Sequence, residues 1–198
     1  MEGIGERIQR IKMLIIDVDG VMTDGGIILG PGSMELKRFH VRDGMGVTLA
    51  KAAGLMVGIL TSRDSEVVRR RANELGIDEV QQGFFYKEEG YQAILKKYGL
   101  RDEEVGYIGD DILDIPILRR TGFSICVADG ADEVKQVSHY VTQKKGGEGA
   151  VREVVEMLLN GLGISNHLLA SLTTPVLAVV VLHAANTKAI RVRDVAAA

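Results

Sequence analysis

Short apolar runs alternate with helical patterns along most of this chain, and that alternation leaves few architectures open. Runs at 12–17, 56–61, 105–109 and 123–127 read as strands, with weaker candidates at 79–82 and 139–142. Helical patterns fill the intervals at about 44–54, 64–75, 87–98, 112–121, 131–137 and 148–160. The expected fold class is therefore α/β, a Rossmann-like parallel sheet with helices on both faces and right-handed crossovers. Gly54, Gly76, Gly99 and Gly122 stand where helix C-caps are expected.

One interval breaks the rhythm. Residues 20–41 are rich in glycine and carry Pro31-Gly32 between Ile27-Ile28-Leu29 and Leu36-Lys37-Arg38-Phe39-His40-Val41, which predicts a β-hairpin. The hairpin exposes more apolar surface than a two-stranded ribbon can bury by itself, so it is expected to meet other copies of the chain. The domain boundary falls at 1–163, with 164–198 as a tail of unassigned role. Pro175 to Ala185 in that tail is strongly apolar but shorter than the ~20 residues a membrane-spanning helix needs.

The first strand ends in Asp17-Val18-Asp19-Gly20, and a later one ends in Gly109-Asp110-Asp111-Ile112-Leu113-Asp114. Carboxyl ends of parallel strands are where α/β sheets bind ligands. Carboxylates crowded there repel unless they share a proton or hold a cation. An oxygen-only donor set suits Mg²⁺. An EF-hand is excluded, because counting from Asp17 puts its glycine position on Met22 and its bidentate glutamate position on Ile28. Thr61 ends the strand at 56–61 and Lys87 opens a helix, where the helix dipole disfavours a cation. A nucleophile or positioned water, a metal, and cationic or hydroxyl groups on the phosphate oxygens are the parts that phosphoryl transfer requires.

A net charge of −3 gives no reason to expect a nucleic-acid partner. The single Cys126 excludes an internal disulfide framework and reads as a small core residue. The first residues carry acids and no apolar stretch of signal-peptide length, so no membrane association is expected and the cytoplasm is the default compartment.

In order and spacing, Asp17-Val18-Asp19, Thr61, Lys87 and Gly109-Asp110-Asp111 resemble the four motifs of the haloacid dehalogenase superfamily over about residues 10–160. The resemblance implies roles. Asp17 would be the nucleophile that becomes an aspartyl-phosphate, and Asp19 the general acid/base. Asp17, Asp110 and the backbone carbonyl of Asp19 would hold Mg²⁺. Thr61 and Lys87 would hold the phosphate, with Asp111 and Asp114 supporting the loop.

The stretches Asp17–Gly25, Phe39–Gly44, Thr61-Ser62-Arg63 and Gly146–Glu153 are similar, more narrowly, to the capless subfamily that dephosphorylates 3-deoxy-D-manno-octulosonate 8-phosphate in lipopolysaccharide precursor synthesis. That subfamily implies a small sugar acid phosphate as substrate and a homotetramer in which neighbours cover each other's sites. Substrate contacts carried over are Asp19, His40, Val41, Arg42, Asp43, Gly44, Thr48, Arg63, Arg71 and Lys87. His40 is expected on a strand, and Arg63 and Arg71 on one helix as carboxylate-binding guanidiniums. Ser62 departs from the glycine common in relatives.

Other readings are a nonulosonate 9-phosphate phosphatase, a receiver-type signalling domain, and a non-catalytic oligomerisation module of the same fold. The Asp-x-Asp spacing disfavours the receiver, and retention of Asp17, Asp19, Lys87 and Asp110 disfavours the module.

Overall fold

A computed structural model describes residues 3–164; the expectations for the tail beyond Ile164 lie outside the described residues. Chain order runs α1 (Ile4–Ile8), β1 (Met13–Ile16), β2 (Ile28–Leu29), β3 (Glu35–Leu36), α2 (Val41–Ala52), β4 (Met56–Leu60), α3 (Glu66–Leu75), β5 (Glu79–Gln81), α4 (Lys87–Tyr98), β6 (Val105–Gly109), α5 (Ile115–Leu118), β7 (Phe123–Cys126), α6 (Asp132–Val137), β8 (Tyr140–Val141) and α7 (Ala150–Gly161). β5, β4, β1, β6, β7 and β8 form one six-stranded sheet in that order, and all its pairings are parallel. β2 and β3 pair only with each other, antiparallel.

Strand alternation divides the core in two. Leu14 and Ile16 of β1 pack with Val47 and Ala50 of α2, Val68 of α3, and Val151, Val154 and Leu158 of α7. Met13 and Ile15 face the other way, into Tyr91 and Ile94 of α4, Ile117 of α5 and Val134 of α6. Both faces are thus covered, which is why β1 reads as an unbroken apolar run.

The sheet has one topological switch point. From β1 the chain steps outward through β4 to β5, then returns to the opposite side of β1 with β6. Loops leaving β1 and β6 therefore diverge, and the crevice between them opens at the carboxyl ends of adjacent strands. Asp17 and Asp110 follow those two ends. Among the described residues, no helix is long and apolar enough to cross a membrane.

Several sequence expectations require correction. The second hairpin strand stops at Leu36, and α2 starts at Val41 rather than 44. His40 is consequently not on a strand; it is the N-cap of α2, its Nδ1 accepting from the Arg42 amide at 3.2 Å. α3 starts at Glu66 behind the N-cap Ser65, so Arg63 lies in the preceding loop and does not share a helix with Arg71. The helix expected at 112–121 resolves into a 3₁₀ turn, Ile112–Asp114, followed by the single turn of α5. Gly76 and Gly99 do cap helices with φ of +61° and +63°. Gly122 has another reason: a Cβ there would lie 2.4 Å from the Glu103 carbonyl oxygen.

Candidate active site

β1 carries Asp17 into the crevice, and the Asp17 amide continues the sheet by donating to the Ile108 carbonyl at 3.0 Å. Lys87, first residue of α4, reaches back across the sheet end. Its ammonium lies 3.0 Å from Oδ2 of Asp17 and 2.6 Å from Oδ1 of Asp114, and all three side chains are buried. Burial alone would lower the lysine pKa, but Asp17 and Asp114 outweigh it and hold the group up at about 12. Two carboxylates explain why a cation is tolerated at a helix N-terminus.

Asp114 is saturated. Oδ1 accepts from Lys87 and from the Tyr107 hydroxyl at 2.6 Å, and Oδ2 accepts from the Asp110 and Asp111 amides at 3.0 and 3.2 Å. Gly109 makes this fold-back feasible, since a Cβ there would lie 2.5 Å from the Asp114 carboxyl carbon. Asp111 caps the same turn, its Oδ1 accepting from Ile112 at 2.7 Å.

Asp17, Asp110 and Asp114 place carboxylate oxygens within 4.8 Å of one another. One ammonium faces three acids. Burial, then the charges of Asp17 and Asp114, push Asp110 up to about 8; burial and Asp114 push Asp17 to about 6 against the pull of Lys87. Such a cluster lacks positive charge, and a divalent cation fits it. Because Asp114 has no oxygen to spare, Asp17 and Asp110 are the side chains that would hold Mg²⁺, by carboxylate oxygens as that ion prefers. Gly20, at φ +88°, leaves room for Asp110, whose Oδ2 would lie 2.0 Å from any Cβ there.

Asp19 is held elsewhere. Its carboxylate contacts the Lys37 ammonium and lies 3.7 Å from Nε of Arg63. Glu35 Oε1 stands 3.5 Å from Lys37 and 3.3 Å from Arg63, while its Oε2 accepts from the Ser65 hydroxyl at 2.6 Å. That hydroxyl and the two cations hold the Glu35 carboxyl below the usual range. Thr61, buried at the end of β4, lies one strand from Asp17.

The haloacid dehalogenase-like hydrolase family matches residues 60–154. The 3-deoxy-D-manno-octulosonate 8-phosphate phosphatase of Yersinia pestis is 43% identical over 154 residues, covering 78% of this chain and 82% of that protein. The chain belongs to the haloacid dehalogenase-like hydrolases. The enzyme of the same description from Escherichia coli K12 is 41% identical over 155 residues, with the same coverage. Among solved structures, the Moraxella catarrhalis 3-deoxy-D-manno-octulosonate 8-phosphate phosphatase, in complex with magnesium, phosphate and KDO, superposes with a TM-score of 0.82. It is 39% identical, and the match covers 84% of this chain and 96% of that one.

In this hydrolase the remaining substrate-contact candidates lie on or beside α2 and α3. Val41 and Arg42 are exposed on the first turn of α2. Asp43 is buried, and its carboxylate accepts from the Gly149 and Arg152 amides at 3.2 and 2.9 Å, capping α7. Thr48 donates to the Gly44 carbonyl within its own helix at 3.2 Å. Gly44 makes space for Arg71, whose Nη2 would lie 2.4 Å from a Cβ at that position. Arg71 also lies 5.7 Å from the Phe39 ring centroid and 2.9 Å from Glu74. Within the chain, then, Asp17, Lys87, Asp110 and Asp114 come together, Asp19 joins Arg63, and Arg71 meets Phe39 and Glu74.

Sequence reasoning missed Glu35, Lys37, Ser65 and Tyr107. Glu35 and Lys37, two apart around the exposed Leu36, left a period-two signal. Nothing local marks Tyr107 or Ser65.

Proposed function

We propose that this chain is a Mg²⁺-dependent phosphomonoesterase that hydrolyses 3-deoxy-D-manno-octulosonate 8-phosphate to the free sugar acid and phosphate. The observation that carries the reaction class is the Lys87 ammonium 3.0 Å from the Asp17 carboxylate beside a second, cation-deficient acid, Asp110. The substrate comes from the named relatives, at 41–43% identity over most of the chain.

Asp17 has one oxygen toward Lys87 and is the group placed to attack phosphorus, giving an aspartyl-phosphate. The ester oxygen departs with a proton from Asp19, which then takes a proton from the water that cleaves the acyl phosphate. Lys87 and Thr61 donate to the non-bridging phosphate oxygens. Asp114 keeps Lys87 aimed and fixes the Asp110 loop through two amides. Bound Mg²⁺ supplies the positive charge that lets the two carboxylates stay ionised together and draws electron density from the phosphoryl group. Arg63, beside Asp19, is placed to meet the sugar acid's carboxylate.

A phosphate-release panel of sugar acid phosphates, with Mg²⁺ and with EDTA, tests this reading. The eight-carbon substrate is expected to lead and EDTA to abolish release. A nine-carbon ester as the preferred substrate would reassign the specificity, and full activity after exhaustive chelation would end the metal-dependent mechanism.

We also infer a homotetramer joined through the hairpin. Ile27, Ile28, Met34 and Leu36 are each at least half exposed and Leu29 is 70% exposed, an apolar patch on a ribbon of two paired residues per strand. Light scattering should find four copies, and Leu29→Asp should dissociate them. An active wild-type monomer would remove this inference.

A further inference from the structure

The hairpin also sends a charge inward. Leu36 faces solvent, while the side chain of Lys37, next along the chain, is 1% exposed. Burying an ammonium is unfavourable unless it is paired, and Lys37 has two carboxylates, Asp19 and Glu35. Each oxygen of Asp19 faces a cation: Oδ1 meets Lys37, and Oδ2 lies 3.7 Å from Arg63. Glu35 stands behind both cations, and Ser65, which caps α3, donates to Glu35 at 2.6 Å. A continuous set of contacts thus runs from the first turn of α3, through the hairpin, to Asp19. Meanwhile Asp19 takes no part in the Asp17, Asp110 and Asp114 cluster, and among the described residues Lys37 and Arg63 are the cations that hold its carboxyl group.

We propose that Lys37 is a positioning residue for Asp19, holding its carboxyl on the hairpin side of the site, with Glu35 and Ser65 holding Lys37 in turn. The proposal rests on Asp19 being the acid/base. In the step concerned, an Asp17 oxygen bonds to phosphorus and the phosphorus–ester oxygen bond breaks. The bonding pair stays on the ester oxygen, which takes the Asp19 proton. Lys37 transfers nothing. Its contribution is geometric, and it should matter in proportion to how much the leaving oxygen needs that proton.

That dependence separates positioning from general support of the fold. Phenyl phosphate and p-nitrophenyl phosphate are alike in shape, but nitrophenolate leaves readily without a proton and phenolate does not. The readout is kcat/KM for both esters with Mg²⁺, which reports steps up to the first irreversible one. Lys37→Met is expected to lower the phenyl to p-nitrophenyl ratio by about tenfold or more, a part of the ~10²–10⁴-fold that a placed proton donor contributes. Lys37→Arg should restore the ratio. If Lys37→Met fails to fold by circular dichroism, Lys37→Gln replaces it under the same criterion. Equal losses on both esters, or no loss, would overturn the positioning role. A wild-type protein inert on both esters and on 3-deoxy-D-manno-octulosonate 8-phosphate is a different result, since it overturns the phosphatase reading itself.

Discussion

The Lys87 ammonium stands 3.0 Å from Oδ2 of Asp17, deep in the crevice where β1 and β6 end side by side. Asp114 shares the ammonium and holds its other oxygen on the Asp110 loop. The nucleophile candidate and the second metal-binding candidate are therefore positioned through one carboxylate that needs no metal. Without an added cation the cluster has three acids and one ammonium.

Asp17→Asn should lower turnover by several orders of magnitude, because an amide is a poor nucleophile toward phosphorus. The fold should survive. Removing one of three crowded acids relieves repulsion on Asp110, so the melting temperature in EDTA should stay level or rise. Phosphate release and thermal melts check the two halves; activity within tenfold of wild type would refute the nucleophile assignment.

Lys87→Met should act on stability as well as catalysis. Breaking a buried ion pair by deleting one partner leaves uncompensated charge and typically costs about 3–5 kcal/mol. Urea unfolding in EDTA should show that loss, and Mg²⁺ should recover part of it by supplying charge at the same cluster. A variant as stable as wild type in EDTA would mean that Asp17 and Asp114 do not depend on Lys87.

The raised carboxyls set a pH dependence. Asp17 at about 6 and Asp110 at about 8 hold their protons to higher pH than the ordinary value of 3.8. Between about pH 4 and pH 8 these two groups therefore bind more protons in the folded chain than in the unfolded one, and their contribution to metal-free stability falls as pH rises. Mg²⁺ competes with those same protons. Its stabilising effect should grow from pH 6 to pH 8, read as the difference in melting temperature with Mg²⁺ and with EDTA. A difference that shrinks over that range would place the cation elsewhere.

The legible part of this protein was local. β1 reads as buried because both its faces meet helices, and Asp17 follows it directly, so strand and acid are one continuous signal. Asp110 and Asp114 repeat it at β6. What stayed hidden depends on distant partners. Lys37 looks like a solvated hairpin lysine until the hairpin folds onto Asp19, eighteen residues earlier in the chain. His40 reads as part of a strand because it stands between Phe39 and Val41, both strand formers, which hide the turn that caps α2. Gly122 reads as a helix cap, although its reason is the Glu103 carbonyl, which a Cβ there would meet.

Asp43 shows the same limit and supplies the last test. The family resemblance groups it with substrate contacts, while the structure commits its two oxygens to the Gly149 and Arg152 amides, over 100 residues away in sequence. Burial raises its pKa, although those amides pull the other way. Such an interaction is an N-cap supplied by another helix, and losing a cap costs about 1–2 kcal/mol. Asp43→Ala should therefore lower the unfolding free energy by about that amount and loosen α7 against α2, detectable as faster amide exchange at 149–152. Its KM for the sugar acid phosphate should be unchanged, and Asp43→Asn, which keeps one accepting oxygen, should lose less stability. A raised KM with unaltered stability would return Asp43 to the substrate.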